Sequence, residues 1–203
     1  KMAKRNAALA AAALVYAVTG MASAATITSL VGDKDGFGGA SASAVPHGES
    51  LPTHYSNRDA GDPAFHDAWG FEYLGGDFAS PLNFRHDYAM AGTPVAATFF
   101  INVQGMSDNG GPWELRFNGV RLGAVANSGS TMAELFGYDV PVGLLTGSDV
   151  IELIYADVAL EGYAINFSEL VIRAASAPVP APAAMPLLLG GLAALMRLRR
   201  IRA

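Results

Sequence analysis

Between residues 113 and 123 the chain reads Trp113-Glu114-Leu115-Arg116-Phe117-Asn118-Gly119-Val120-Arg121-Leu122-Gly123, and this stretch constrains the fold more than any other. Successive side chains of a strand point to opposite faces, so Trp113, Leu115 and Phe117 share a buried side while Glu114 and Arg116 meet water. Asn118-Gly119 supplies the two positive-φ residues of a type I′ turn, which closes an antiparallel hairpin. One hairpin cannot cover its own apolar face and needs further strands. The sequence offers them as short apolar runs at Thr26–Val31, Leu82–Ala89, Val95–Val103, Phe136–Val142, Val150–Tyr155 and Tyr163–Ile172, separated by Gly, Pro, Asn and Asp. No stretch of helical period competes with them, so residues 25–173 are expected to form an all-β sandwich or barrel.

The two ends of the chain read differently. Lys4-Arg5, the uncharged run Ala7 to Val18 and Ala22-Ser23-Ala24 have the order of a secretory signal peptide. Residues 1–24 are therefore expected to form a signal helix, exported through the Sec translocon and cleaved between Ala24 and Ala25. Residues 174–182 form an Ala/Pro linker whose spaced prolines favour an extended polyproline II chain. Residues 183–203 follow as a hydrophobic helix with a basic tail. From Pro186 to Met196 that helix would be only about 16 Å long, against a hydrocarbon core of about 30 Å. Arg197, Arg199, Arg200 and Arg202 would hold the end on the cytoplasmic side.

The tail, with Val179, Pro180, Pro182 and Ala183 ahead of the apolar run and the arginines, resembles the PEP-CTERM sorting signal in its V-P-x-P-A variant. That resemblance implies handling by a membrane-embedded exosortase, an inner-membrane intermediate, and delivery to the cell surface or the extracellular matrix of a bacterium that makes exopolysaccharide. It gives a destination and no chemistry.

Charge follows the same division. All 18 acidic residues lie between residues 25 and 176 beside six basic ones, so the body carries a net charge of -12. Such a surface repels phosphate backbones and anionic lipid, which excludes nucleic acid as a partner, and attracts divalent cations. The absence of cysteine excludes disulfides, zinc-thiolate sites and a thiol nucleophile. There is no G-x-S-x-G elbow, phosphate-binding P-loop or H-E-x-x-H helix, so the expectation is a protein that is not an enzyme and has a structural or adhesive role; a carbohydrate-binding module is the alternative, and a secreted glycoside hydrolase, whose paired carboxylates would meet in space, ranks below it.

Three segments, Trp113 to Gly123, Tyr138-Asp139-Val140-Pro141-Val142-Gly143-Leu144-Leu145, and Gly147-Ser148-Asp149-Val150-Ile151-Glu152-Leu153, resemble in their order the jelly-roll sandwich of galactose-binding-like and carbohydrate-binding modules. The resemblance implies a jelly-roll-like β-sandwich flanked by the two terminal helices, with an exopolysaccharide as the alternative partner.

Near the start of the body, Gly32-Asp33-Lys34-Asp35-Gly36-Phe37-Gly38-Gly39 places two carboxylates at i and i+2 before glycines that let the backbone turn. This suits a hard, oxygen-seeking cation such as Ca²⁺, without the ligand spacing of an EF-hand. The segment also resembles a Gly-Asp-x-Asp-Gly-Phe-Gly opening of secreted PEP-CTERM proteins. The jelly-roll resemblance, in which calcium ties the N-terminal loop to the last strand, implies Asn166 and Glu169 as further ligands. His47, His54, His66 and His86, with Asp59, Asp62 and Asp67, match no transition-metal spacing and read as solvated residues, the first three within a long loop over 40–68. Among the aromatic residues Trp113 is in phase with the core, which leaves Trp69 as the candidate for stacking on a sugar ring.

Overall fold

The hairpin forms where the sequence places it. Asn118 and Gly119 both have positive φ, 49° and 78°, and join β5 (Trp113–Phe117) to β6 (Val120–Val125) with Phe117 opposite Val120. In the computed structural model residues 24–39, 43–53, 55–63, 66–69, 82–106, 112–155 and 162–175 are described. The expected helices over 1–24 and 183–203, and the motif residues Val179, Pro180, Pro182 and Ala183, lie outside them. Ala24 is exposed and Ala25 opens the first strand.

Among the described residues nine strands form two antiparallel sheets. Besides the hairpin they are β1 (Ala25–Gly32), β2 (Glu49–Ser50), β3 (Leu82–Asp87), β4 (Thr93–Gln104), β7 (Met132–Asp139), β8 (Ser148–Ile154) and β9 (Ala164–Ala175). The order is β1-β9-β4-β7-β2 in one sheet and β3-β8-β5-β6 in the other. Their facing sides make a β-sandwich core. Phe99, Ile101 and Val103 of β4 and Leu170 and Ile172 of β9 are fully buried from one sheet; Leu115 and Phe117 of β5 and Ile151 and Leu153 of β8 are so from the other. Trp113 lies in this core, stacked on Tyr155 with ring centres 4.7 Å apart.

The strand limits differ most from expectation at β7 and β9. β7 begins four residues earlier and ends before Val140, because Pro141 opens a 3₁₀ turn over Val142–Leu144. β9 runs to Ala175, where Ala174 pairs with Ala25 and Pro94, so the expected boundary at 173 falls inside a strand.

The core also holds a polar bridge between the sheets. His86, in phase with Leu82 and Phe84 on β3, is fully buried. Its Nδ1 lies 3.2 Å from Ser29 Oγ and its Nε2 lies 3.0 Å from Ser168 Oγ, linking β3 to β1 and β9. Burial pulls its pKa down to about 4. Asp149 makes a second polar knot. Burial would raise its pKa, but hydrogen bonds from Thr146, Tyr88 and Asn118 outweigh this and hold it below the usual carboxylate range.

Candidate functional site

β1 ends at Gly32, whose φ of 74° and close neighbours admit no side chain: a Cβ there would sit 2.6 Å from Asn166 O and against the His66 ring. The acidic turn follows. Asp35 N donates to Asp33 Oδ1 at 3.1 Å, and Gly38 N donates to Asp35 Oδ1 at 2.7 Å. Residues 36–39 then make a left-handed turn, with φ of 84°, 61°, 68° and 76°. Only a chain reading Gly-Phe-Gly-Gly makes this inexpensive, since each L-residue with a side chain costs about 1–2 kcal/mol in that conformation. Phe37 is the one such residue, and it is completely buried. Burying a Phe contributes about 1.5–3 kcal/mol, enough to offset the strain. Phe37 N donates to Asn166 Oδ1 and its carbonyl accepts from Asn57 Nδ2, both at 3.1 Å.

Residues 55–63 and 66–69 provide the second wall. Asp67 N donates to Ile165 O and Asn57 N donates to Asp67 O, each at 2.8 Å, and Trp69 N donates to Tyr55 O at 2.9 Å. His66 bridges to Ile165 and Ser56 to Ala68. This pairing seats Asp67, itself at a φ of 49°, beneath the acidic turn. One carboxylate oxygen from each of Asp33, Asp35 and Asp67 lies within 4.8 Å of the others. Asp67 is 1% exposed, and its Oδ1 has no hydrogen-bond partner among the described residues. Burial first, and then the charges of Asp35 and Asp33, push its pKa up to about 8. Asp33 is raised too, chiefly by burial. Asp59 and Asp62 add to the negative field around Asp67.

The other expected site residues are placed differently. Asn166 is engaged with protein groups: it is buried at a bulge in β9, with Oδ1 accepting from Phe37 N and Nδ2 donating to Asn102 Oδ1 at 2.9 Å and Ala44 O at 3.3 Å. The Glu169 carboxylate pairs with Lys34 Nζ at 2.8 Å on the outer side of the sheet and is not one of the three carboxylates that converge. The N-terminal loop is thus tied to the last strand by an amide and an ion pair. Trp69 is no stacking platform. It is 4% exposed, packed with Phe37, Leu51, Ala133 and Ala164 and seated on Gly105 and Gly162, where any Cβ would run into its ring. His66 and His86 are buried, contrary to the solvated reading, whereas His47 is exposed and its Nδ1 accepts from Leu135 N at 2.9 Å. His54 lies outside the described residues. Asp67 was legible only as one of several loop acids, since nothing in its spacing from Asp33 and Asp35 predicts their meeting.

The outer face of the five-stranded sheet carries a second feature. Phe100 of β4 is half-buried, its ring lying over Gly137 of β7. Shallow grooves of about 320 and 280 Å³ flank it, one bordered by Asp139 and Arg173, the other by Leu135, Phe167 and the Lys34–Glu169 pair. Lys34 Nζ sits 4.9 Å above the Phe167 ring centre. Both grooves fall at or below the lower limit of pockets that enclose small molecules, about 300–1,000 Å³, so they suit a ligand lying across an open face.

Neither a family model nor a curated protein matches the sequence. Solved structures that resemble the chain include a β-porphyranase of glycoside hydrolase family 86 from Bacteroides plebeius, at 12% identity and a TM-score of 0.36, over 50% of this chain and 20% of that one. A carbohydrate-binding module CBM36 in complex with calcium and xylotriose is 14% identical with a TM-score of 0.33, over 46% and 76%. CBM35 from Cellvibrio japonicus Abf62 is 11% identical with a TM-score of 0.32, over 76% and 100%. The chain spans only a fifth of the porphyranase. Likenesses this distant assign no ligand and no activity.

Proposed function

We propose that this chain is an exported, non-enzymatic β-sandwich module that binds exopolysaccharide across the outer face of its five-stranded sheet. The carrying observation is Phe100, an aromatic ring fixed over Gly137 between two open grooves whose borders hold Asp139, Arg173, Lys34 and Glu169. Sugar rings place apolar C–H faces on aromatic rings and hydroxyls on charged side chains, and this face offers both. Delivery belongs to the same reading: cleavage between Ala24 and Ala25 leaves β1 whole, and Val179, Pro180, Pro182 and Ala183 address the protein to an exosortase. The calcium ion expected at Asp33 and Asp35 enters as a structural ion.

A pull-down with the producing bacterium's own polysaccharide tests the binding. Wild-type chain should be retained and Phe100→Ala should lose retention, while Trp69→Phe, altered only in the interior, should keep it. Equal retention of wild type and Phe100→Ala would refute the site. No retention at all would leave a purely structural matrix role. For delivery, replacing Val179, Pro180 and Pro182 together should leave precursor in the inner membrane, and unchanged export would exclude the sorting role.

A further inference from the structure

We propose that Asp33, Asp35 and Asp67 together hold one calcium ion, which fastens the left-handed turn after β1 to the residues around Asn57 and Asp67. The inference deepens the structural-ion part of the reading above and is independent of its sugar-binding part: calcium binding without polysaccharide binding, or the reverse, separates the two.

The first observation is distance. Calcium takes oxygen ligands at about 2.3–2.6 Å, so two oxygens on opposite sides of one ion stand about 4.6–5.2 Å apart. The three carboxylate oxygens lie within 4.8 Å of one another. Magnesium, at about 2.0–2.1 Å, demands a tighter and more regular cage.

The second observation is independent of the first. Asp67 is a carboxylate 1% exposed with an oxygen that has no hydrogen-bond partner among the described residues. A buried charge is normally paired, and leaving one unpaired costs several kcal/mol. The basic groups nearby are engaged elsewhere: Lys34 pairs with Glu169, and Arg58 Nη2 donates to Asp62 O at 2.6 Å. Asp33 Oδ1 and Asp35 Oδ1 accept backbone N–H groups, which orients both carboxylates and leaves each a second oxygen. The upward pKa shifts of Asp33 and Asp67, caused first by burial and then by the neighbouring carboxylates, express from the proton's side this cost of an unpaired buried charge. Either a cation or a proton must relieve it, and three converging carboxylates select the divalent cation. The turn and the residues facing it are joined by the bond from Asn57 Nδ2 to Phe37 O and by the packing of Phe37 with Tyr55 and Trp69, and an ion here adds a clasp between the carboxylates themselves. Water completes the coordination shell.

The test is calorimetric titration of calcium into the full-length chain after chelator treatment, with thermal melts in chelator and in millimolar calcium. Wild type should bind one equivalent and melt at a higher temperature with calcium. Asp67→Asn should lower the affinity on the order of 100-fold, the loss expected when one partner of a buried charge contact is removed. Asp35→Asn changes a more exposed residue and should also weaken binding, which keeps the test decisive if Asp67→Asn folds poorly. Glu152→Gln, on the other sheet, should bind as wild type does. Absence of any calcium heat and of any melting shift would overturn the proposal and leave Asp67 as a protonated carboxyl. So would undiminished affinity in both Asp variants, and an equal response to magnesium would overturn the choice of ion.

Discussion

Acidification should unfasten the sandwich at His86, and the size of the effect can be worked out. The ring is fully buried between the sheets, bonded to Ser29 and Ser168, and burial lowers its pKa from 6.5 to about 4. Because the folded value lies below the unfolded one, the neutral ring's contribution is complete above the unfolded pKa and is lost as pH falls from 6.5 towards 4. Each pKa unit corresponds to about 1.36 kcal/mol, so the full window amounts to about 3 kcal/mol and the loss at ~pH 5 to roughly 2 kcal/mol. For a chain of this size that is about 4–8 °C in melting temperature. Asp33 and Asp67, whose folded pKa values are raised, act in the opposite sense, so the quantity to measure is the difference between wild type and His86→Gln across pH 7 to 5. Asp149, Asp87 and His66 also act on the ring and are common to both proteins. The two melting curves should converge as pH falls, and the imidazole resonance of His86 should titrate near 4. Parallel curves, or a ring titrating near 6.5, would refute the assignment of His86 as a neutral bridge.

Other outcomes follow from single contacts. Trp69→Ala should cost about 3–5 kcal/mol in denaturant unfolding, because the indole fills the space between Gly105, Gly162 and Phe37; a change below 1 kcal/mol would show that the ring is not packed there. Asn118→Ala should cost about 1–2 kcal/mol for its positive φ and more for the lost bonds to Leu144 O, Asp149 Oδ1 and Val150 N. Asn118→Gly should recover the conformational part alone, and equal losses in the two variants would contradict that division. Gly32→Ala should lower stability and also weaken calcium binding, since the added methyl displaces the strand end that launches the acidic turn.

Alternation and turn chemistry made the sandwich legible in the sequence. The turn between β5 and β6 was readable to the residue from Asn118-Gly119, which sets the first two pairs, although a register shift between Leu115 and Arg116 follows without local signal; the alternating core positions of β3 and β8 follow from period. The same alternation already placed His86 in phase with Leu82 and Phe84, so its burial was readable from period rather than residue type. Asp33 and Asp35 were visible because their spacing is local. Asp67 was not, since its position depends on a parallel bridge from His66 to Ile165 that no local pattern announces. Trp69 was misread for a related reason: its burial depends on glycine backbones at positions 105 and 162, far from it in the chain.

The place of β9 has a mechanical consequence. It is paired on both sides, with β1 over eight residue pairs from Ala25–Ala174 to Gly32–Phe167 and with β4 over eleven. A tension applied at Ala175 along the strand therefore loads both ladders in shear, so that their hydrogen bonds resist together and do not open one after another. The acidic turn stands at the far end of that pairing, where Gly32 meets Phe167, about 26 Å from the point of pull at 3.3 Å per residue. A domain gripped by its outer face and tugged by its last strand would meet the load with its strongest geometry.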